Sequence, residues 1–457
     1  MATYELGRQP FGLASPAAWL RRAGHDVTCL DLSRQPFDAA EVARAHLVAF
    51  HLPMHTATRL AAPVIQHVQR INPDASLCAY GLYAPLNASH LRSLGIRHTL
   101  GGEFEADLVR IAGGSSDSRG EADARKEAGT AVAANGKVGT RRPELPHVDF
   151  ITPWRDDLPP LDRYAALQRG GSHHLTGYTE ASRGCRHLCR HCPVVPVYGG
   201  RFRIVPPDVV VADVETQAAR GAKHITFGDP DFFNGIGHAM RVVEMVADRC
   251  PGITYDVTVK VEHLITHASR LPRLRATGCL FVTSAVESFD DVVLARLRKG
   301  HTRCDVERAV GLCRDAGLTL APTFIAFTPW TTLETYRDLL VEIDRLDLVD
   351  QVAPIQLALR LLVTAGSGLL ELDDMRRRVG SFDEARLVYP WRHDDPAVDR
   401  LADDVATIVG RRLTADRNSV YEEIRARVDA ECGLPPHRPA PARQRAETPY
   451  LNEPWYC

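Results

Sequence analysis

The sequence lacks a long apolar run: no stretch approaches the roughly 18 to 20 residues that cross a bilayer. Its opening residues, Met1-Ala2-Thr3-Tyr4-Glu5, carry no basic region followed by an apolar core, so no secretory leader is expected. Net charge is equally scarce. The 55 basic and 57 acidic side chains leave −2, and so balanced a chain projects no long-range field toward nucleic acid or an anionic membrane. A cytoplasmic protein with no nucleic-acid partner and no membrane partner is the expectation. What is present is ordinary for a globular chain, 45% hydrophobic and 25% charged over 457 residues, long enough for two or three domains.

A reducing compartment decides how eleven cysteines are read, because a disulfide framework is not expected there and close clusters point to metal or redox chemistry. Cys29, Cys78, Cys250, Cys279, Cys304 and Cys313 are dispersed among apolar segments, where a cysteine acts as a small buried hydrophobe. Cys185, Cys189 and Cys192 are different: they stand in a C-x3-C-x2-C run, Ser182 to Cys192, just past a predicted strand. Three thiolates so close suit an iron–sulfur cluster with one open iron better than a closed zinc site, which takes four protein ligands. The zinc alternative would complete the three cysteines with His187 or His191.

Residues 1–112 alternate short apolar runs with helical patterns: Asp26–Leu30, His46–Phe50, Ser76–Tyr80 and Ile96–Leu100 read as strands. That is the pattern of a doubly wound, Rossmann-like parallel sheet, with an abbreviated first strand before Gly7. Ligands of such sheets lie beyond the strand carboxyl ends, here Phe50–Thr56, Gly81–Ala84 and Gly101–Glu103. From Gly113 to Arg142 large apolar residues are few, and residues 113–142 read as a disordered linker. A second strand–helix series follows within residues 143–365, with strands expected at Tyr178–Ser182, His224–Gly228, Ile253–Val259, Leu280–Ser284, Thr319–Ile325 and Pro354–Arg360. Six units make a partial parallel barrel open on one side, its functional groups at the strand carboxyl ends. Residues 366–457 are charged and helix-forming, with runs at Asp373–Arg378, Ala397–Arg412 and Val420–Cys432, then a proline-rich stretch and a tail ending on Cys457.

The first segment resembles the cobalamin-binding domain that precedes many radical S-adenosylmethionine (SAM) enzymes. The resemblance implies corrinoid contacts from Met54, His55, Thr56, Tyr83, Gly101 and Gly102. The Asp-x-His-x-x-Gly motif that brings a lower axial histidine in other cobalamin proteins is absent, although His51 and His55 lie near the same edge. The cysteine run after the first strand of a six-unit barrel resembles the signature of the radical SAM superfamily. That resemblance implies a [4Fe-4S] cluster on Cys185, Cys189 and Cys192, with SAM on the fourth iron, and an electron donor such as flavodoxin or ferredoxin. His191 stands where the family commonly has an aromatic residue. By the same resemblance Asp229 and Asp231 hold the SAM amino group, Glu287 or Ser284 the ribose, and Arg360 the SAM carboxylate.

Thr3–Pro16 and the tail Tyr450–Cys457 resemble a narrower group of cobalamin-domain radical SAM proteins that end in Cys followed by selenocysteine or Cys, then Ala-Glu-Pro. On that resemblance the chain stops one residue short of a second chalcogen. Members of this type are similar to an enzyme that joins the 3-amino-3-carboxypropyl group of SAM to trivalent arsenic in arsinothricin formation. This implies a small-molecule substrate, arsenite, held by Cys457 and Cys432 as catalytic thiols. Two other readings stand beside it: a cobalamin-dependent methylase of an unactivated carbon or phosphorus, and a non-catalytic metal or metalloid sensor.

Overall fold

The computed structural model describes residues 1–114, 148–412, 415–435 and 450–452. The linker expected over 113–142 therefore falls, from residue 115 onward, outside the described residues, as does Cys457. Among the described residues no helix is long and apolar enough to cross a membrane.

The fold is mixed α/β. Helices α1 (Phe11–Arg22) and α2 (Ala39–Arg44) precede β1 (Leu47–His51), α3 (His55–Ile71), β2 (Ser76–Tyr80), α4 (Ala88–Ser93), β3 (His98–Leu100) and α5 (Glu105–Ala112). The three strands pair in parallel in the order β1-β2-β3. Buried Ala57, Ala61, Ile65 and Val68 recur on one face of α3, which closes on the sheet through Val48, Phe50, Leu77 and Ala79. The expected strand Asp26–Leu30 is not one. Its place is taken by single parallel bridges from Ala2 to Asp31 and His51, with Ala2 donating to the Leu30 carbonyl at 2.9 Å and accepting from Leu32 at 2.9 Å.

The second sheet begins with β4 (Ala166–Arg169) and β5 (Ser172–Thr179). The short β6 (Ser182–Gly184), α6 (Val194–Tyr198) and β7 (Phe202–Ile204) follow as an excursion, with β6 and β7 paired antiparallel. Then come α7 (Pro207–Ala219), β8 (His224–Phe227), α8 (Ile236–Arg249), β9 (Thr254–Thr258), α9 (Val261–Thr266), α10 (Leu271–Ala276) and β10 (Cys279–Glu287). These lead to α11 (Asp291–Leu297), α12 (Arg303–Asp315), β11 (Thr319–Phe324) and α13 (Leu333–Arg345). The remainder is α14 (Asp373–Arg378), α15 (Pro396–Arg411), α16 (Arg417–Glu431) and β12 (Tyr450–Leu451).

Strand order is β11-β10-β9-β8-β5-β4-β12, parallel from β5 to β11, with β4 antiparallel to both β5 and β12. The result is a curled half-barrel. The largest core lies between this sheet and its helices and holds Ile225, Phe227, Tyr255, Val257, Val282, Val286, Leu320 and Phe324. The alternate residues face the concave side.

The sixth expected strand, Pro354–Arg360, does not form. Pro354–Leu357 is a 3-10 turn, because proline cannot donate to a ladder, and the side-chain oxygen of Gln356 accepts from Phe324 N–H at 3.0 Å where a strand carbonyl would have done so. Only a single parallel bridge, Phe327 to Arg360, remains of that unit. The first barrel strand is also displaced. It ends at Thr179, and the cysteines follow β6 instead.

Candidate functional site

The cysteine loop hangs from the carboxyl end of the half-barrel and is fixed by its neighbours. Gly184 takes a left-handed φ of 77°, and a Cβ there would stand 2.4 Å from the Tyr198 ring and 2.6 Å from the Arg201 carbonyl, so glycine is required. Asn234, at the start of α8, accepts from Arg186 N–H at 3.2 Å and lies 3.8 Å from Cys185 Sγ. Arg190 N–H donates to Leu297 O at 3.0 Å, and its own carbonyl accepts from the Ser367 hydroxyl at 3.2 Å. Cys189 is buried, while Cys185 and Cys192 are half-buried. Burial pushes the Cys185 thiol up to about 11 and that of Cys192 up to about 12, with the neighbouring Cys189 sulfur a lesser contributor to both. Loading such a site expels protons, since metals take the thiolate. Three soft donors on one loop, with Lys299 lowering the Cys192 value, fit an iron–sulfur cluster with an open iron.

Lys299 was not legible as a site residue. It follows Arg298, whose φ of 57° turns the chain after α11, and is 3% exposed with Nζ 3.3 Å from Glu287 Oε1. Glu287 itself has a φ of 71°, strained for a non-glycine residue at the end of β10, and meets His191 Nε2 at 3.2 Å. Burial alone would raise its carboxyl, but Lys299 and His191 hold it down to about 2. Glu287 and His191 are thus brought together beside the cysteines as an ionised, cation-paired carboxylate.

On the other side of the loop stand His187, Asp231, Lys260, Glu262 and His263. Asp231 Oδ2 lies 3.3 Å from His187 Nε2 and 2.7 Å from His263 Nδ1. Its Oδ1 accepts from Phe233 N–H at 3.2 Å. Burial raises the Asp231 carboxyl and the two imidazoles more than reverse this, leaving it at about 2. Asp229 is placed differently. It accepts from Ala181 N–H at 2.9 Å and from the Ser182 hydroxyl at 2.5 Å, tying the root of the cysteine loop to the end of β8. Burial lifts its carboxyl to about 7.

Two expected SAM contacts are corrected. Ser284 lies on β10 in phase with Val282 and Val286, both in the helix-facing core, so its hydroxyl points away from the concave side; it is fully buried and makes no hydrogen bond. Arg360 pairs with Asp399 Oδ1 at 2.7 Å, and its guanidinium lies 3.9 Å from the centre of the Trp391 ring. It belongs to the packing of the C-terminal helices. Cys432, at the end of α16, packs half-buried against the main core with Sγ 4.0 Å from Leu333 O, and nothing brings it to the three cysteines.

At the first sheet, Met54 caps α3, and His55 Nε2 is bonded to the Arg386 carbonyl at 2.6 Å with its ring against Tyr83. His51 faces Glu5 at 3.5 Å and packs on Tyr80 and Phe104. His55 is hydrogen-bonded through Nε2, whereas His51 Nδ1 is buried without a hydrogen bond among the described residues. Met54, Thr56 and Gly101 keep part of their surface exposed at the sheet edge, and a Cβ on Gly101 would lie 3.5 Å from Val197, five residues past Cys192. Gly102 turns with a φ of 62°, and the next residue, Glu103, is bound by Arg183 at 3.1 Å.

Against known families, residues 179–341 match the radical SAM superfamily. These residues form a radical SAM domain. Domains of this superfamily work with a [4Fe-4S] cluster and SAM. The hopanoid C-3 methylase of Methylococcus capsulatus is 24% identical over 71% of this chain and 62% of its own length. A tRNA-2-methylthio-N(6)-dimethylallyladenosine synthase of Chlorobium luteolum is 26% identical over 37% of this chain and 40% of its own. The chain therefore spans between two fifths and two thirds of these curated relatives. Among solved structures, the cobalamin-dependent radical SAM enzyme OxsB with aqua-cobalamin superposes at a TM-score of 0.66, 13% identity, over 94% of this chain and 70% of that one. The radical SAM methyltransferase TsrM from Kitasatospora setae, with cobalamin and a [4Fe-4S] cluster, gives 0.57 at 21% identity over 76% of this chain and 69% of that one. At these identities the likeness is one of fold.

Proposed function

We propose that the protein is a radical SAM transferase whose cluster is held by Cys185, Cys189 and Cys192, and that it methylates a small molecule. The observation that carries the reading is the loop itself: three cysteines at the mouth of a parallel half-barrel, with an ion-paired Glu287 on one side and Asp231 on the other. A cluster held there supplies one electron to the sulfonium of SAM. The chain's own part is to orient the cosubstrate. Glu287, kept ionised by Lys299 and His191, accepts from hydroxyl or ammonium groups, and the Asp229–Ser182 contact keeps the loop on β8. Fold likeness to OxsB and TsrM, both described as cobalamin enzymes, supports a corrinoid on the first sheet. The partly exposed Met54, Thr56 and Gly101 would fit one edge of a flat ligand. Such a group, when bound, supplies a transferable methyl.

The test is anaerobic reconstitution with iron, sulfide and hydroxocobalamin, then reduction with SAM. About four irons per chain, a bound corrinoid spectrum and S-adenosylhomocysteine or 5′-deoxyadenosine are expected, following the chemistry such cofactors supply. Cys185→Ala should abolish both cluster iron and SAM cleavage, and turnover surviving in that variant refutes the ligand assignment.

A second reading, transfer of the 3-amino-3-carboxypropyl group to trivalent arsenic, draws support from the direction of β12. It is antiparallel to β4 and so runs in the direction of the barrel strands. Arsenite-dependent 5′-methylthioadenosine without methyl transfer would select that reading over the first.

A further inference from the structure

We propose that His187, Asp231 and His263 form a mononuclear site for a borderline divalent cation, of the Zn2+ or Fe2+ class, beside the cysteine loop. Two imidazole nitrogens, His187 Nε2 and His263 Nδ1, face one carboxylate oxygen, Asp231 Oδ2. Each is buried and lacks an aligned hydrogen bond, although Oδ2 stands 3.3 Å and 2.7 Å from the two nitrogens. Two donors each about 2.1 Å from a metal lie about 3.0 Å apart at a right angle and about 3.4 Å apart at the tetrahedral angle. The two observed separations bracket the first value.

The carboxylate is fixed for the task. Its other oxygen, Oδ1, accepts from the backbone N–H groups of Phe233 at 3.2 Å and Lys260 at 3.4 Å, so Oδ2 is the atom left for the histidines. The rings of His187 and His263 are 4.7 Å apart at 58°, as two ligands around one centre require and as parallel stacking does not. Behind His187, Nδ1 lies 3.2 Å from Lys260 Nζ, which also donates to Glu262 Oε2 at 3.1 Å, and Oε2 itself stands 3.9 Å from Nδ1. A cation on Nε2 puts the ring proton on Nδ1, so Lys260 must leave that nitrogen for Glu262, which then serves as the outer carboxylate that orients a metal-binding histidine. Cys185, His187 and Asp231 each bring one ligand atom to within 4.8 Å of the other two, so the cation would neighbour the first cluster ligand without needing it. Two imidazoles and one carboxylate suit zinc or ferrous iron and leave coordination positions open. An all-oxygen set, which magnesium and calcium prefer, is not available here.

The experiment uses the anaerobically reconstituted holoprotein, with Zn2+ as the probe in equilibrium dialysis and both metals counted by mass spectrometry. One zinc per chain beyond the cluster iron is expected. It should persist in the Cys185→Ala/Cys189→Ala/Cys192→Ala variant, which loses the iron. His263→Gln should keep its cluster iron while binding zinc at least about 100-fold more weakly, and Glu262→Gln about 10-fold more weakly, the scale on which outer partners act. Should His263→Gln fail to hold its cluster, Asp231→Asn carries the same test. Absence of zinc from the holoprotein, unchanged affinity in both His263→Gln and Asp231→Asn, or loss of zinc with the three cysteines would each overturn the site. None of these readouts depends on turnover, so this assignment and the transferase reading fail separately.

Discussion

Replacing Arg183 by Met removes the cation of a buried cluster two residues before Cys185. In the folded chain its guanidinium meets Glu105 at 2.7 Å, Glu180 at 2.9 Å and Glu103 at 3.1 Å; Glu103 and Glu105 have fully buried side chains, whereas that of Glu180 is 21% exposed. Burial alone would raise Glu105, and Arg183 and Ser15 instead hold it below the ordinary carboxylate range; burial leaves Glu103 above that range and pushes Glu180 up to about 8. Without the arginine the buried carboxylates must be protonated or hydrated. Protonating one of ordinary pKa at pH 7 costs about 3.7 kcal/mol, from 1.36 kcal/mol for each of roughly 2.7 units. Two such groups set a ceiling near about 7 kcal/mol, while broken buried pairs typically lose about 3–5 kcal/mol.

The sign with pH follows. Glu105, depressed when folded, contributes stability above its unfolded pKa that is lost as pH falls. In Arg183→Met the same group is raised, so the variant loses stability as pH rises. The deficit against wild type should shrink by roughly 3–5 kcal/mol between pH 7.5 and 5.5, read by urea unfolding followed through tryptophan fluorescence and far-UV circular dichroism. Adding Glu103→Gln and Glu105→Gln should recover much of it at pH 7.5. A deficit independent of pH, or below about 1.5 kcal/mol, would refute the account.

Three further outcomes are expected. Glu287→Gln strands the buried Lys299 ammonium and should cost about 3–5 kcal/mol, whereas Glu287→Gln/Lys299→Met should cost less than either single change, measured as a double-mutant cycle in urea. Gly228→Ala should destabilise by about 3 kcal/mol, because its Cβ would stand 1.8 Å from the Tyr178 hydroxyl and 2.2 Å from the ring, and a loss under about 1 kcal/mol means that ring swings freely. On the concave side His224 bonds Asp256 at 2.9 Å and Thr254 at 2.8 Å, and Thr226 donates to the same carboxylate at 2.7 Å. His224→Leu, which leaves a buried carboxylate, should therefore cost more than Asp256→Leu, which leaves a neutral imidazole, by about 1–3 kcal/mol in thermal or urea unfolding.

Much of this architecture can be read from periodicity. Strands β8 to β11 lie within a few residues of their expected places because each is a run of β-branched and aromatic residues bounded by turn formers. The failures have local causes. Pro354 removes a ladder donor and Gln356 supplies a side-chain substitute, so the sixth unit never becomes a strand. Ser284 was assigned to the site because it lies near the carboxyl end of its strand, but a register shift between Cys279 and Phe281 sets the phase, and that phase turns its hydroxyl outward. Arg360 looked available because Asp399 is far off in sequence. Lys299 and His263 escape a reading of the sequence for the converse reason: a left-handed residue and a short helix bring them to a loop far upstream, and neither carries a spacing motif. His187 was visible only as a zinc alternative to the cluster, and Asp231 only as a SAM contact; it is the fold that sets them beside His263.

The same geometry constrains where chemistry takes place in the half-barrel. On the concave side, Leu280, Phe281 and Ala321 pack with Leu167 of β4 and Leu451 of β12, an apolar group spanning β10, β11 and the two antiparallel strands of the far edge. Close by, His224 is stacked on Phe281 and satisfied by Asp256 and Thr254, so the polar groups of this layer are spent on one another. The charged groups held near a ligand-binding loop are all at the opposite, carboxyl end: Glu287 with Lys299, and Asp231 with two histidines. Asp231 is held ionised by imidazoles from the cysteine loop and from the end of β9, and Glu287 by His191 of the loop and by Lys299 of its own β10–β11 connection. Arg183 joins that end to the turn after β3, so displacing Glu103 strains the backbone that leads into Cys185. The pH dependence of Arg183→Met should therefore appear in cluster retention as well as in unfolding, with Tyr198, which donates to Glu103 at 3.4 Å, a remaining polar tie between the two parts.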